Sequence, residues 1–451
     1  MSYVSKYNLV LENRVRAGEY LLYNPLSGAV DLADASEIRA LEDIVSGSEP
    51  EREFIEYLRS RGYVFDSKEE EDELIAFKYK EFQEAMAQSP VQLFLIPTYG
   101  CNLACTYCFQ EGIKKKKALI DSATIEAFFT SVDKKFGSAP VKPFVTLFGG
   151  EPLIDTPNHR EAIRQIIAGC NERGYELAVV TNGYDLKEYL DLLGQAAIKE
   201  IQVTLDGDRE THDARRFTKG REGTFDKILE SLSGAVERGF PINLRTVVDK
   251  SNLMGLVKLA ELLDAKGWLD LPQERFKTQI GRNYELIDAN CSEGLLSQLE
   301  LWQNVVKLSE NYPLLRKFHQ PQFKGMKYLV LTGETSLPSF DTCPACKGEW
   351  VYDLYGDIYG CTASCGREEY KLGTFYPAEQ LDMKQVEQWT GRNVLQMEEC
   401  RDCPTSLICG GGCGVVAKEK NGIILSPDCR PIKELLELGM EYYREELLKL
   451  G

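Results

Sequence analysis

Cys101, Cys105 and Cys108 stand at a C-x3-C-x2-C spacing directly after the apolar run Gln92 to Ile96. Three thiolates so spaced can take one face of a [4Fe–4S] cube and leave one iron without a protein ligand, which makes that iron a site for a small molecule. Zinc would want a fourth ligand nearby. Nine of the chain's 14 cysteines crowd between Cys343 and Cys429. Their pattern is Cys346-x9-Gly356-x4-Cys361, then Cys400-x2-Cys403-x5-Cys409-x3-Cys413-x15-Cys429, with Cys343 and Cys365 as further thiols. Paired C-x2-C spacings serve iron–sulfur clusters and zinc ribbons alike. Cys170 and Cys291 stand alone and read as buried thiols. The three histidines, His159, His212 and His319, have no metal spacing.

The elements that must position these thiols show in the hydropathy pattern. Strand-like runs at Gln92 to Ile96, Phe144 to Phe148, Leu177 to Thr181, Ile201 to Leu205 and Ile242 to Val248 alternate with helical patterns. The helices fall at Asp121 to Phe136, Arg160 to Arg173, Leu186 to Ala196 and Thr224 to Arg238. Repeated βα units of this length predict a parallel sheet, either open and doubly wound or a full or partial barrel, with the chemistry on loops after strand C-termini. Before them, Tyr20 to Tyr23 and Ala29 to Leu32 flank a turn at Asn24, Pro25 and Gly28 and predict a hairpin. Helical pattern follows at Ser36 to Ile44 and Phe54 to Leu58. The acidic run Glu69 to Glu73 opens a charged helix to about Ala87, expected as a solvated connector. After Leu295 the alternation fades into helical pattern, then the Cys- and Gly-rich stretch, and a helix from Ile432 to Leu450 closes the chain. The basic run Lys114 to Lys117 reads as a solvated face.

Composition limits the partners. With 451 residues the chain has room for two or three domains, and 43% hydrophobic residues allow packed cores throughout. A net charge of −17 argues against nucleic acid and anionic membrane as partners. No 18-residue apolar run exists and the N-terminus lacks a signal-peptide pattern, so a cytoplasmic protein is expected. There thiols stay reduced, and metal ligation is the leading account of so many cysteines.

The triad, with the aromatic Tyr107 before its last cysteine, resembles the signature of the radical S-adenosylmethionine (SAM) superfamily. Phe148-Gly149-Gly150-Glu151-Pro152 resembles that family's Gly-Gly-Glu-Pro motif, and Asn182, Thr204 and Arg216 fall where the family contacts the SAM ribose and carboxylate. Arg215 is able to exchange roles with Arg216. The resemblance implies cofactor contacts at Tyr107, Gly149, Gly150, Glu151, Pro152, Asn182, Thr204 and Arg216.

The second cysteine pattern resembles the SPASM extension of radical SAM peptide-modifying enzymes. By that resemblance Cys346, Cys361 and Cys413 hold one auxiliary [4Fe–4S] cluster, with Cys343 as fourth ligand, Cys365 as the alternative, or neither, which leaves an iron open to a substrate thiol. Cys400, Cys403, Cys409 and Cys429 hold the other. Sulfatase-maturating members carry an aspartate where this chain has Thr362, which demotes formylglycine formation and leaves Asp353 or Asp357 as other candidate bases.

The implied fold is a partial (β/α)6 TIM-like barrel with an N-terminal winged-helix-like domain and a C-terminal Cys-rich domain. The expected divisions are 1–90 for leader recognition, 91–310 for the barrel, 311–342 as linker, 343–430 for SPASM and 431–451 as terminal helix. The implied cofactors are SAM and three [4Fe–4S] clusters. The implied partners are a ribosomally made precursor peptide and a reductant such as flavodoxin or ferredoxin. The expected reaction is a thioether or carbon–carbon crosslink. An electron-transfer or zinc-bearing scaffold is the reading from another class.

Overall fold

The computed structural model describes residues 2–12, 18–47, 50–110, 113, 118–282 and 294–449. Lys114 to Lys117 and Cys291 lie outside the described residues. The chain begins with β1 (Tyr3–Val4), β2 (Leu9–Glu12), β3 (Glu19–Asn24), β4 (Ala29–Asp34), α1 (Ala35–Val45), α2 (Arg52–Ser60), β5 (Val64–Phe65) and α3 (Lys68–Ala87). β2, β3 and β4 form an antiparallel sheet in which Asn24 faces Ala29 across the expected hairpin. Buried Asn24 wires that turn: its Oδ1 accepts from the Leu26 and Ser27 amides at 2.8 and 3.0 Å, and its Nδ2 donates to Ser5 Oγ and Asn8 Oδ1.

Strand alternation gives this small sheet two apolar faces. Leu22, Ala29 and Ala33 pack under α1 and α2. Leu9, Leu11, Leu21 and Tyr23 pack on residues far along the chain, among them Phe323, Met326 and Leu436. α3 corrects one expectation. Its exposed acidic side hides a stripe at i, i+4 and i+7, and Ile75, Tyr79 and Phe82 join a core with Phe340, Met397 and Cys400. Tyr79 meets Phe340 edge to face at 5.2 Å. The helix is packed, not merely a solvated connector.

The main sheet is built from β6 (Gln92–Ile96), α4 (Ser122–Phe136), β7 (Phe144–Leu147), α5 (Pro157–Arg173), β8 (Leu177–Thr181), α6 (Leu190–Leu193) and β9 (Ile198–Thr204). It continues through α7 (Arg209–Arg215), α8 (Phe225–Glu237), β10 (Ile242–Val248), α9 (Leu253–Ala265) and β11 (Phe276–Arg282). These six strands pair in parallel in the order β11-β10-β9-β8-β7-β6. Leu93, Leu95, Val145, Leu147, Leu177, Ile201, Val203 and Leu244 are fully buried, as parallel strands covered on both faces require. Helix starts are capped: Asp121 accepts from the Thr124 amide, and Thr156 from the His159 amide with Pro157 at the first helical position. α7, α9 and β11 add to the elements expected from the pattern.

Beyond β11 come α10 (Gln298–Asn311), α11 (Leu314–Phe318) and α12 (Met326–Thr332). The stretch 311–342 is thus partly helical, and Leu315, Phe318, Phe323 and Met326 within it are buried. β12 (Glu349–Asp353) then pairs in parallel with β6, Glu349 facing Gln92 and Asp353 facing Ile96. β13 (Asp357–Tyr359), β14 (Lys371–Thr374) and β15 (Gln380–Leu381) extend the sheet antiparallel, so the Cys-rich segment continues the barrel's own sheet. The terminal helix is broken in two, at Ile432–Tyr442 and Arg444–Leu447, and the first piece packs on the N-terminal sheet.

Candidate active site

The loop after β6 and the loop after β7 are held against each other by their backbones. The Gly150 amide donates to Thr98 O at 3.0 Å and the Glu151 amide to Gly100 O at 2.8 Å. A Cβ on Gly149 would sit 2.5 Å from Thr98 O, and one on Gly150 only 2.1 Å from Gly100 O. Gly149 also has φ +130°, a conformation open to glycine. The double glycine therefore lets the second loop lie against the one that leads directly into Cys101.

Glu151 is buried and faces away from solvent. Its Oε1 accepts from Thr181 Oγ1 at 2.7 Å and the Leu153 amide at 2.8 Å, and its Oε2 from the Asn182 amide at 2.6 Å. Burial pushes this carboxyl up to about 7 against the pull of those donors. It ties the ends of β7 and β8 together, with Pro152 buried beside it.

Cys101, Cys105 and Cys108 line one cavity of about 160 Å³, together with Tyr107, Gly149, Gly150, Asn182, Thr204 and Arg216. Glu151 and Pro152 stand behind its wall. Burial pushes the Cys101 thiol up to about 12. Its sulfur nevertheless accepts from the Leu103 amide at 3.4 Å and from Asn182 Nδ2 at 3.7 Å. Donors aimed at a buried sulfur suit the thiolate of a metal ligand, so these residues fit a cluster.

The two adjacent arginines have different surroundings. Arg215 is spent on a buried network: its Nε donates to Asp206 at 3.2 Å, its Nη1 pairs with Asp249 and meets Ser251 Oγ, and its Nη2 donates to Val247 O. Arg216 donates to the Tyr107 hydroxyl at 2.8 Å, lines the cavity, and keeps a buried Nε without a partner. Arg216 alone of the pair lines the cavity and so faces a ligand there. Fully buried His212 bonds Thr224 Oγ1 and the Asp206 amide, and burial holds it neutral.

The cavity wall also includes Gln202, Arg245, Val247 and Arg282, which sequence reasoning missed. Gln202 and Thr204 on β9, and Arg245 and Val247 on β10, are alternate positions of their strands. The available signal was Gln202 and Thr204 alternating with Ile201, Val203 and Leu205, and Arg245 following Asn243 at the same spacing; Val247 carries no polar mark.

A second cavity of about 380 Å³ is lined by Cys343, Cys361, Cys409 and Cys413 with Thr362 and Glu349. Cys346 adjoins it, its Sγ 3.1 Å from where a Cβ on Gly360 would lie. Charge coupling links Cys343 with Cys346 and Cys361, and Cys361 with Cys413. In the other set, Cys400 and Cys429 each lie within electrostatic reach of Cys403 and Cys409. Cys365 reaches Thr362 O at 3.1 Å. Among the described residues no three His, Cys, Asp or Glu side chains converge on a single-ion site. Cys101, Cys105 and Cys108 share the first cavity, and Cys343, Cys361, Cys409 and Cys413 the second.

Neither expected alternative base lines these two cavities. Asp353 accepts from the Tyr355 and Asp357 amides and the Tyr99 hydroxyl, and Asp357 pairs with Lys371 at 2.7 Å. The acid that faces the second cavity is Glu349, which burial pushes up to about 7. Arg282, at the end of β11, lines both cavities.

The model of the radical SAM superfamily matches residues 95–263. The chain is 30% identical over 299 residues to a probable GTP 3',8-cyclase of Pyrobaculum aerophilum, covering 60% of this chain and 91% of that one. It is 21% identical over 367 residues to a cysteine-type anaerobic sulfatase-maturating enzyme of Clostridium perfringens, 77% of this chain and 96% of the other. Of some other curated relatives it spans only about half the length. Its fold is similar to Streptococcus suis SuiB bound to precursor peptide SuiA, with TM-score 0.53 and 15% identity over 96% of this chain and 99% of that one. No helix among the described residues is long and apolar enough to cross a membrane.

Proposed function

The chain belongs to the radical SAM superfamily, and on that premise we propose that it matures a ribosomally made precursor peptide by closing a thioether or carbon–carbon crosslink. As a member it is an enzyme that uses SAM and iron–sulfur clusters. When bound, SAM and the cluster at Cys101, Cys105 and Cys108 supply a 5′-deoxyadenosyl radical that abstracts hydrogen. Arg216 orients the SAM carboxylate through its guanidinium, and Thr204 offers a hydroxyl to the ribose. Asn182, fixed by Glu151, steadies the Cys101 sulfur. Cys343, Cys346, Cys361 and Cys413 would hold one auxiliary cluster, and Cys400, Cys403, Cys409 and Cys429 the other.

The observation that carries this reading is that one side chain, Arg282, lines both thiol-lined cavities. Crosslinking is an oxidation, and an electron acceptor beside the reaction cavity gives the second electron somewhere to go. The peptide-bound state of SuiB and the sulfatase-maturating relative support a peptide substrate. In the division proposed here, residues 1–90 capture the leader. There β4 is an edge strand whose Leu32 is exposed, suited to β-augmentation. A flavodoxin- or ferredoxin-type protein supplies electrons.

Mass spectrometry of a small peptide encoded beside this gene and co-expressed with the enzyme tests the reading. The expected product has lost two hydrogens per modification and is inert to hydrazide probes. A hydrazide-reactive aldehyde would instead assign formylglycine formation, and an unchanged peptide would remove the maturase reading.

A further inference from the structure

The cavity beside the cysteine triad is lined by three arginines, Arg216, Arg245 and Arg282, and among the described residues by no Asp or Glu. In a chain of net charge −17 such a lining is not a by-product of composition. Arg216 has Tyr107 beside it and is assigned above to SAM. Arg245 has no such assignment. It projects from β10 opposite Thr204 of β9, its Nε is buried without a hydrogen-bond partner, and no carboxylate pairs with it among the described residues. The residue as a whole is partly exposed, but a buried guanidinium N–H left without an acceptor is costly, and the cost is tolerable where a ligand regularly arrives to offset it.

The neighbouring strand is shaped around this side chain. A Cβ on Gly281 of β11 would lie 3.2 Å from Arg245 Nε and Nη2. Glycine at that place lets the guanidinium lie against β11. Its planar fork matches a carboxylate with two parallel N–H···O bonds.

We propose that Arg245 is a specificity residue that receives an acidic side chain, Asp or Glu, of the substrate peptide beside the position that is modified. The inference rests on the peptide reading given above. Its occupant is a single carboxylate, which one guanidinium can neutralise.

The test measures binding, apart from turnover, on SAM-loaded holoenzyme. The probes are the capped tripeptides acetyl-Ala-Glu-Ala-amide and acetyl-Ala-Gln-Ala-amide, with GTP as a third ligand, followed by saturation-transfer NMR titration. The Glu peptide is expected to bind about tenfold tighter than the Gln peptide. Arg245→Gln is expected to erase that preference, and Arg245→Lys to keep part of it. Gly281→Ala, which crowds the guanidinium while leaving its charge, is expected to weaken the preference and guards against a folding defect in the first variant. Equal affinity for the two peptides, no detectable binding of the Glu peptide, or a preference that survives Arg245→Gln would each overturn the assignment. Tight binding of GTP with neither peptide bound would overturn the peptide reading itself, a failure distinct from the loss of Glu preference alone.

Discussion

Replacing Gly150 with alanine should uncouple the first thiol site from the rest of the protein. The new methyl would stand 2.1 Å from Gly100 O and 2.6 Å from Tyr99 O, both backbone atoms that no rotamer change can move aside. Restoring ordinary contact requires the loop to retreat by more than about 1 Å. That retreat breaks the two backbone bonds between the loops, worth about 1 kcal/mol each. The strain of overpacking adds about 1–3 kcal/mol, so the total loss is about 3–5 kcal/mol. Cys101 directly follows the displaced Gly100, so about a third of the iron should go as well, one cluster of three. Anaerobic denaturation curves and iron per chain measure both effects. Gly220→Ala is the control: the nearest atom to its Cβ is Thr218 Oγ1 at 3.6 Å, and it should stay within about 0.5 kcal/mol of the parent. If Gly150→Ala matched that control in stability and iron content, the loop contact would not be what demands glycine there.

Cys343→Ser should lower the iron content through loss of an auxiliary ligand, whereas Cys365→Ser should leave it unchanged; the reverse result would move the fourth ligand to Cys365. His319 is expected to set part of the acid sensitivity. Burial lowers its pKa from 6.5 to about 4, so at pH 7 it is neutral folded or unfolded. As pH falls below 6.5 the unfolded chain takes a proton that the folded chain refuses, and stability is lost down to about pH 4. The loss at pH 5 is about 2 kcal/mol. His319→Asn should therefore close most of that gap between pH 7 and pH 5 in denaturation curves, and an unchanged acid slope would rule the histidine out.

The sequence made the barrel legible where strands are buried on both faces. β6 and β8 are nearly continuous apolar runs, β10 is apolar but for Asn243, Arg245 and Thr246, and all three match their expected bounds. β11, with Lys277, Thr278 and Gln279 in its middle, is a sheet strand without that signal, and its position follows from pairing with β10 rather than from its own composition. β12 was harder still. Its five residues pair with a strand some 250 positions earlier, and no local pattern encodes such a contact. In the site, the residue types in the cysteine motifs were readable because ligand spacing is local. That Glu151 turns inward onto β8, and that Arg215 is consumed by Asp206 and Asp249 while Arg216 is not, depends on which strand ends become neighbours. Arg245, between Asn243 and Thr246 in its strand, has the local pattern of an edge position, and only the pairing of β10 with both β9 and β11 places it inside the sheet.

The sheet order also explains how Arg282 comes to line both cavities. β11 stands at one edge of the sheet, and β12 lies beyond β6, with five strands between β11 and β12 in the order. In a flat sheet Arg282 at the end of β11 would be remote from Cys343 and Cys361, which flank β12. All three line the same cavity, so the sheet must curve far enough to bring its first and seventh strands face to face across an open seam, as six parallel strands in a partial barrel do. The Cys-rich segment fills that seam. Arg282 is the residue shared by the linings of the two cavities. Arg245, on β10, lines the cavity of the cysteine triad together with Arg282.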